Sequence, residues 1–582
     1  MFLPTTLQEA RQWGWDALDA ILITGDSYID SPFIGAAVIG RWLAAHGLRT
    51  GIIAQPDIQS PDDITRLGEP ALFWGITGGS IDSMVANTTA TKKRRNSDDY
   101  TPGGANTKRP DRAVIAYSNL VRRYFKDTAP IVLGGIEASL RRVTHYDYWS
   151  NKLRRSILFD AKADYLLYGM AEKAVLDLAN TLQSGGDASG IPGLCYLAKS
   201  PPDDYIVLPS WEACAASKDA FTDMFHTFYR NNDPLTARGL AQGTGDRWWV
   251  QNPPQPNLTT AELDAVHELP YERDVHPRDA EQGVIRALDT IRFSIPTHRG
   301  CYGECNFCAI AVHQGRTVLG RSPESILNEA RTLTQHPKFK GIISDVGGPT
   351  ANMYGYECAK KLKSGPCPDK RCLYPELCPV LKPNHQPLID LYKSLRKIDG
   401  IRQVFVASGI RYDLVMNDQQ HGDEYLRQVT CHHTSGQLKI APEHTSERVL
   451  TLMGKPGLHT LESFKRQFEK HSAAAGKKQF LTYYFIAAHP GCSDREMHEL
   501  KQYASKTLSI SPEQVQVFTP TPSTYSSLMY YTEKNPFTGE KLRVMQDIRD
   551  KQRQKDILVE KPASKAKHGN PGNTRHPYKG KK

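Results

Sequence analysis

The stretch THRGCYGECNFC, from Thr297 to Cys308, decides how this sequence is interpreted. It places three of the chain's eleven cysteines, Cys301, Cys305 and Cys308, within eight positions. Three thiolates with the spacing Cys-x3-Cys-x2-Cys on one loop can ligate three corners of an iron–sulfur cluster and leave the fourth iron uncovered. An uncovered metal position of this kind is typical of a catalytic site.

A structural zinc site is the competing interpretation of the same loop. Zinc in such sites takes four protein ligands, so His298 or His313 would have to complete the set. The aromatic residue Phe307 between the last two cysteines, and the position of the loop directly after a predicted strand, favour the iron–sulfur interpretation.

Length and composition indicate a multidomain globular protein. The chain has 582 residues, of which 39% are hydrophobic and 23% charged. This length exceeds what a single hydrophobic core organises. No apolar run approaches the roughly 18 residues that a membrane span needs, and the first stretch, MFLPTTLQEARQWGWDALDA, lacks the features of a secretory signal. We therefore expect a soluble cytoplasmic protein with reduced thiols and no membrane contact.

Most of the positive charge lies near the C-terminus. From Lys551 to Lys582 the chain carries ten Lys or Arg and two acidic residues, a surplus of eight out of the net charge of +10. The composition of 561–582 predicts a disordered basic tail that could contact RNA weakly. A second basic stretch, 91–112, is interpreted as a surface insertion that could serve the same purpose.

The N-terminal part of the chain, 1–190, alternates short apolar strands with helical lengths. This pattern predicts a doubly wound parallel sheet. Ligands of such sheets bind beyond the carboxyl ends of the strands. The residues expected at this edge are Gly25, Asp26, Gly78, Gly79, Gly134, Gly135, Gly169 and Glu172. The glycines could instead be tight turns, and the absence of a GxGxxG fingerprint gives a dinucleotide site little support.

A connector is predicted over 191–285, where the periodicity is weaker. Strand and helix then alternate again over 286–535, and 536–582 is assigned to a C-terminal extension. Six strand candidates predict a partial (βα)6 barrel whose active site gathers at the carboxyl ends of the strands. The candidates are 290–296, 341–348, 403–409, 436–442, 480–487 and 515–519.

A second group of cysteines lies in an insertion of the barrel, 356–380. Its members are Cys358, Cys367, Cys372 and Cys378. The insertion contains few apolar residues, which favours a loop held by metal, either an auxiliary iron–sulfur cluster or zinc. Separate thiols are the alternative. The isolated cysteines Cys195, Cys214, Cys431 and Cys492 are interpreted as small apolar residues.

The stretch CYGECNFC matches the CxxxCxφC motif of the radical SAM superfamily, with Phe307 as the aromatic residue. The chain from GDSYIDSPFIGAAVIGRWL through DVGGPTANMYG and ASGIRYDLV to APEHTSERVLTLMGKP resembles the YgiQ family of radical SAM proteins, whose substrate is uncharacterised. The resemblance implies a [4Fe-4S] cluster on Cys301, Cys305 and Cys308, with S-adenosylmethionine on the fourth iron. It also implies reductive cleavage of S-adenosylmethionine to a 5′-deoxyadenosyl radical. The electron would come from a one-electron donor such as a flavodoxin or ferredoxin.

The same resemblance suggests roles at other strand ends of the barrel. Gly347 and Gly348 resemble the glycine-rich motif that meets S-adenosylmethionine, and Ser408 and Arg411 lie where contacts to ribose or carboxylate would fall. Glu443 is a further candidate at the fourth strand end. His444 and His489 are further candidates, at the ends of the fourth and fifth strands. Each of these polar residues could instead cap a strand end.

The N-terminal sheet resembles the cobalamin-binding domain that precedes the barrel in many radical SAM enzymes. The metal-ligating DxHxxG motif is absent, because the first strand is followed by GDSYIDSP with no histidine. This departure weighs against cobalamin without excluding it.

Three function classes follow. The first is a radical SAM enzyme with an unknown substrate. The second is a methylthiotransferase that modifies RNA or protein, which would need three N-terminal cysteines, whereas no cysteine precedes Cys195. The third is a non-enzymatic zinc protein that binds nucleic acid. Iron with acid-labile sulfide would exclude the third class.

Overall fold

The structure is a computed structural model, and it describes residues 1–512 and 515–559. The predicted basic tail at 561–582 lies outside the described residues. Among the helices of the described part of the chain, none has both the length and the apolar character that crossing a membrane requires.

The N-terminal half contains thirteen strands. They are β1 (Ala20–Thr24), β2 (Ile29–Asp30), β3 (Thr50–Ala54), β4 (Phe73–Thr77), β5 (Ile131–Gly134), β6 (His145–Asp147), β7 (Lys152–Arg154), β8 (Tyr165–Leu167), β9 (Leu194–Ala198), β10 (Ile206–Leu208), β11 (Leu240–Thr244), β12 (Arg247–Gln251) and β13 (Asp274–Val275). Its helices are α1 (Leu7–Gln12), α2 (Gly35–Ala45), α3 (Asp62–Thr65), α4 (Ser83–Asn87), α5 (Ala113–Tyr124), α6 (Gly135–Leu140), α7 (Ile157–Ala161), α8 (Glu172–Gln183), α9 (Trp211–Ala216), α10 (Lys218–Arg230), α11 (Thr260–His267) and α12 (Pro277–Ala280).

The C-terminal half continues with strands β14 (Ser294–Pro296), β15 (His298–Arg299), β16 (Leu319–Gly320), β17 (Ile342–Ile343), β18 (Asp345–Gly347), β19 (Gln403–Val404), β20 (Gln437–Glu443), β21 (Phe480–Ala487) and β22 (Gln516–Val517). Its helices are α13 (Ala287–Ile291), α14 (Ile310–His313), α15 (Pro323–Thr334), α16 (Ala359–Ser364), α17 (Gln386–Leu395), α18 (Tyr412–Asn417), α19 (Gly422–Gln428), α20 (Glu447–Met453), α21 (Leu461–Ala474), α22 (Asp494–Tyr503), α23 (Tyr525–Thr532) and α24 (Ile548–Leu558).

The N-terminal sheet has nine strands in the order β10-β11-β12-β9-β8-β5-β4-β1-β3. The strands from β3 to β8 in this order pair in parallel. Strand β1 is buried along its whole length because helices cover both faces of the sheet. Its alternate residues enter two different cores: Ile21 and Ile23 pack on the side of α5, while Leu22 packs on the side of α2. The predicted doubly wound parallel sheet is confirmed.

The predicted connector differs from the structure between Leu194 and Gln251. Strands β9, β12 and β11 pair antiparallel and extend the N-terminal sheet beyond β8. The physical reason is burial: Trp249 and Cys195 are fully enclosed, so short runs interrupted by polar residues still contribute to the core. This segment is therefore part of the sheet, whereas the other predicted domain boundaries stay predictions.

The C-terminal half forms the predicted partial barrel. Strand β14 pairs in parallel with β18, β17 pairs with β19, and β20, β21 and β22 pair in that order. The backbone amide of Val346 donates to the Phe405 carbonyl, and a parallel bridge joins Ile410 to Ile440, so the pairs follow one another around the barrel. All six predicted strand regions contain strands in these positions.

Helix α24 holds the two halves of the molecule together. The buried amide of Gln554 accepts from the backbone of Ala488 and donates to the Cys492 carbonyl in the barrel. Lys551, which is fully buried, donates to the Tyr148 hydroxyl of the N-terminal half at 3.0 Å, and its ammonium lies 4.6 Å from the ring of Tyr530. Aromatic faces thus replace water around this ammonium.

The buried ammonium makes stability depend on pH. Burial lowers the pKa of Lys551 from 10.5 to about 7, and the neighbouring Lys92 adds to the effect. Between these values the unfolded chain binds more protons than the folded chain, so stability rises with pH. We expect the free energy of unfolding of the wild type to rise relative to Lys551→Met by as much as about 4 kcal/mol from pH 7 to pH 10.

Urea unfolding at several pH values measures this difference. Lys470→Met, at an exposed position of α21, is the matched control and should show no such trend. A difference between wild type and Lys551→Met that stays constant with pH would mean that Lys551 keeps its proton in the folded chain.

Candidate functional site

The three-cysteine loop follows β15 at the carboxyl end of the first barrel strand. Backbone contacts fix its course: the amide of Cys301 donates to Gly315 at 3.2 Å, and the amide of Asn306 donates to Met453 at 2.8 Å. Gly300, which enters the loop, has a φ of +81°, and a Cβ there would lie 2.1 Å from the Thr317 carbonyl oxygen. Only glycine fits this entry. The three cysteine side chains are half-buried.

The thiols of the loop need a positive partner if they are to ionise. Burial raises the pKa of the Cys308 thiol to about 12, with the neighbouring Cys305 side chain as the second cause. Burial and Cys305 likewise raise the pKa of Cys301. A metal centre bound here would replace these protons. Within the described residues, no group of three or more His, Cys, Asp or Glu is arranged to hold a single metal ion.

Arg411 lies beside the cysteine loop. Its Nη1 atom is 4.0 Å from the Cys305 sulfur, and its guanidinium pairs with Asp413. Asn352 fixes the backbone of Arg411 by accepting from its amide at 2.8 Å and donating to its carbonyl at 3.0 Å. The guanidinium is thus held in place before any ligand arrives.

The predicted glycines and serine lie on neighbouring strand ends. Gly347 ends β18, and a Cβ there would touch Ser408 at 3.4 Å. The Ser408 hydroxyl donates to Asp345. A Cβ at Gly348 would lie 2.5 Å from the ring of His298, so the absence of a side chain at Gly348 leaves space for this imidazole. No feature of the sequence indicates that these two residues are in contact.

Glu443 ends β20 at a bulge, where its φ is +68°. Burial raises the pKa of its carboxyl, and the Lys455 ammonium, 3.7 Å away, opposes that shift. Phe307 packs edge-on against His489 with ring centroids 6.5 Å apart. The structure therefore gathers the cysteines, Arg411, Ser408 and Glu443 at one end of the barrel, while their ligand contacts stay predictions.

His444 and His489 are occupied by protein partners. His489 Nε2 lies 2.7 Å from the Ser526 hydroxyl, and His444 Nε2 lies 3.5 Å from the Cys492 sulfur. Burial lowers the pKa of His444 to about 4 and that of His489 to about 3. Both rings act as neutral, hydrogen-bonded caps of strand ends.

A cavity of about 480 Å³ lies between the carboxyl edge of the N-terminal sheet and the beginning of the barrel. The predicted sheet-edge residues that line it are Asp26, Gly79, Gly134, Gly135, Gly169 and Glu172. The barrel contributes His298, Arg299, Ile310, His313, Gln314, Gly348 and Pro349, which sequence reasoning did not assign to this edge.

Arg109 was also missed. The composition of 91–112 predicts a surface insertion, yet Arg109 is 1% exposed and pairs with Asp26 at 2.8 Å and with Asp98 at 3.1 Å. Arg109 is buried because the buried carboxylate of Asp26 requires a cation. No sequence signal marked this arginine among its basic neighbours.

Comparison with known proteins decides the family. Residues 2–294 match the family described as Radical SAM N-terminal, and residues 513–563 match a domain of unknown function, DUF3362. A UPF0313 protein of Fusobacterium nucleatum is 58% identical over 96% of this chain and 99% of its own length. A UPF0313 protein of Thermotoga maritima is 47% identical over 97% of this chain and 100% of its own length.

The chain belongs to the UPF0313 family of radical SAM proteins. This confirms the family resemblance predicted from the sequence. A solved structure of the radical S-adenosylmethionine methyltransferase TsrM from Kitasatospora setae, with cobalamin and a [4Fe-4S] cluster bound, is similar with a TM-score of 0.50 and 12% identity. The likeness covers 88% of this chain and 78% of that chain, and it shows the shared fold.

The second cysteine group of the UPF0313 chain packs against the three-cysteine loop. Cys358 is buried in a small core with Tyr302 of the loop, together with Met353 and Leu373. The insertion thus shares a small apolar core with the three-cysteine loop. Burial raises the pKa of Cys372 to about 12, and the Lys361 ammonium lies 4.0 Å from its sulfur. The second metal site stays a prediction.

A buried ion pair joins the three-cysteine loop to the N-terminal sheet. Arg299, two residues before Cys301, pairs with Glu172 at 2.5 Å, and their side chains are 9% and 2% exposed. Glu172 begins α8 and lines the cavity. The position of the loop relative to the cavity therefore depends on this pair.

Removing one partner of this pair should destabilise the protein. Glu172→Gln leaves Arg299 buried without its carboxylate, which typically costs about 3–5 kcal/mol. The double variant Glu172→Gln/Arg299→Met removes both charges and should recover most of the loss. Urea unfolding measures all three proteins. Equal stability of wild type and Glu172→Gln would contradict the importance of the pair.

Proposed function

We propose that this UPF0313 protein is a radical SAM enzyme with a [4Fe-4S] cluster on Cys301, Cys305 and Cys308. The observation that carries the proposal is the half-buried three-cysteine loop at the end of the first barrel strand, with a fixed arginine beside it. Membership in a radical SAM family supports it.

The residues present fit such a centre. The half-buried side chains of Cys301 and Cys308 have raised pKa values, caused first by loss of contact with water, so they favour a strongly cationic partner that displaces their protons. The tight turn at Gly300 and the hydrogen bond from Asn306 to Met453 hold the loop open in one shape. When loaded, the centre would supply reductive cleavage of S-adenosylmethionine to a 5′-deoxyadenosyl radical.

The surrounding polar residues would bind and orient the S-adenosylmethionine molecule. Arg411 is held by Asp413, Ser408 by Asp345, and Glu443 faces Lys455, so each group is positioned by the protein itself. A guanidinium suits the ligand's carboxylate, and a hydroxyl or carboxylate suits its amino and ribose groups. Tyr302, fully buried beneath the cysteine-rich insertion, excludes water from one side of the loop.

The proposed partner is a one-electron donor such as a flavodoxin or ferredoxin, because each cleavage consumes one electron. Cobalamin stays outside the proposal. The loop after β1 contains no histidine, and its Asp26 is already paired with Arg109 at 2.8 Å. The expected metal ligand at that position is therefore absent from this chain.

Anaerobic reconstitution with iron and sulfide tests the proposal. The reduced protein is mixed with S-adenosylmethionine, and 5′-deoxyadenosine is measured by mass spectrometry together with bound iron and acid-labile sulfide. We expect wild type to form 5′-deoxyadenosine and Cys305→Ala to form none, because one ligand of the cluster is missing.

Cys431→Ala is the matched control, since Cys431 is half-buried and remote in sequence from both cysteine groups. It should keep the activity and iron content of the wild type. Full activity of Cys305→Ala would refute the assignment, and zinc in place of iron would favour a non-enzymatic binding protein.

The positive charge of Arg411 should raise the reduction potential of a cluster bound to the three cysteines. A guanidinium 4.0 Å from the Cys305 sulfur stabilises the more negative, reduced state of a cluster bound there. Arg411→Gln should therefore lower the reduction potential, on the order of tens of millivolts, in a titration followed by electron paramagnetic resonance without S-adenosylmethionine. Arg466→Gln, an exposed position of α21, is the control. An unchanged potential in Arg411→Gln would show that its charge is screened.

A further inference from the structure

The interdomain cavity combines an apolar slot with a polar mouth. The slot runs between the strands of the N-terminal sheet and helices α2 and α8, and it is lined by Leu22, Phe73, Gly75, Val132, Val38 and Val175. Its volume of about 480 Å³ falls in the range of cavities that take a small organic ligand. Slots of this kind between a sheet and its helices suit a flat apolar group.

The polar mouth contains buried atoms without protein partners. Within the described part of the chain, Glu172 Oε2, His313 Nδ1 and His267 Nδ1 make no hydrogen bond. All three residues line the cavity. Glu172 and His267 are 1% and 5% exposed, so open solvent does not satisfy them. Buried polar atoms are normally paired, and these are free to pair with polar groups of a ligand.

The charges around the mouth are already balanced among the described residues. Asp26 pairs with Arg109 at 2.8 Å, and Glu172 pairs with Arg299 at 2.5 Å. Burial lowers the pKa of both His298 and His313 to about 4, which keeps the imidazoles neutral. The N-terminus of α8 faces the cavity with Glu172 in its first turn. Among the described residues that line the cavity, no cationic side chain is without an ion-pair partner. None is therefore available to bind a phosphate or carboxylate.

The mouth adjoins the proposed radical centre. His298 lies three residues before Cys301 and packs on Gly348, and His313 follows Cys308 by five residues. Gly348 belongs to the predicted S-adenosylmethionine motif and also lines the cavity, together with the adjacent Pro349. A molecule in the cavity would therefore meet the site from the side of the N-terminal sheet.

We propose that this cavity is the substrate site, and that the substrate is an uncharged small molecule with a flat apolar body and N–H or O–H groups at one edge. The body would occupy the slot, and the N–H or O–H groups would donate to Glu172 Oε2 and pair with His313 at the mouth. That the bound molecule is a substrate rests on the proposed radical SAM function. The existence of a binding site rests only on the shape and lining of the cavity.

Ligand-observed nuclear magnetic resonance on the full chain, without iron or S-adenosylmethionine, tests the site. The probes are ring-matched pairs of an uncharged amide and its carboxylate: indole-3-carboxamide with indole-3-carboxylate, nicotinamide with nicotinate, and benzamide with benzoate. Ala36→Phe fills the slot from α2, and Ala171→Phe fills the half-buried mouth, so either variant serves if the other does not fold. Ala45→Phe, exposed at the end of α2, is the matched control.

We expect amides to bind wild type and Ala45→Phe, with affinity at least tenfold weaker in the filled variants and for the carboxylates. Equal binding of carboxylates, no binding of any amide, or amide binding that the filled variants retain would overturn the proposal. Hydroxocobalamin is added as a competitor. If it binds tightly to wild type and Ala45→Phe but not to the filled variants, the cavity would be assigned to a corrinoid instead. Because the assay contains no cluster, failure to form 5′-deoxyadenosine leaves its result unaffected.

Discussion

The position of the candidate site depends on one constraint: the N-terminal sheet and the barrel present the carboxyl ends of their parallel strands to the same cavity. The N-terminal sheet brings backbone turns and the Asp26–Arg109 pair to this space, and the barrel brings the cysteine loop. The buried pair of Arg299 and Glu172 crosses between them. Because a buried ion pair tolerates little displacement, it fixes the register between the two halves.

The parts of the structure that sequence reasoning could predict are those with local signals. Buried strands such as β1 appear as continuous apolar runs, and the serines that begin α15 and α22 are standard caps. The cysteine loop has its own spacing, and a parallel barrel places such a loop at a strand end. These features need no knowledge of distant contacts, so the fold class followed from the sequence.

The missed features all depend on partners far away in the sequence. Strands β9, β11 and β12 pair antiparallel in a weakly patterned part of the sequence, and only their burial against the sheet reveals them. Arg109 lies in a basic stretch whose composition is typical of a solvated loop, yet its guanidinium forms a buried ion pair with Asp26. His298 meets Gly348 across the barrel, so one residue explains the other only in three dimensions. The packing of the cysteine-rich insertion could not be predicted from its own residues, because its apolar partners, including Tyr302, lie outside it.

The bridge between Glu172 and Arg299 also carries a thermodynamic consequence. Glu172 borders the cavity, and Arg299 is two residues from Cys301, so occupancy of the cavity and loading of the loop act on the same buried contact. Linkage is reciprocal: if a cavity ligand tightens the hold of the loop on its metal centre by some factor, the loaded loop tightens the hold on that ligand by the same factor. The two halves of the molecule would then report on each other's state through a single pair of charges.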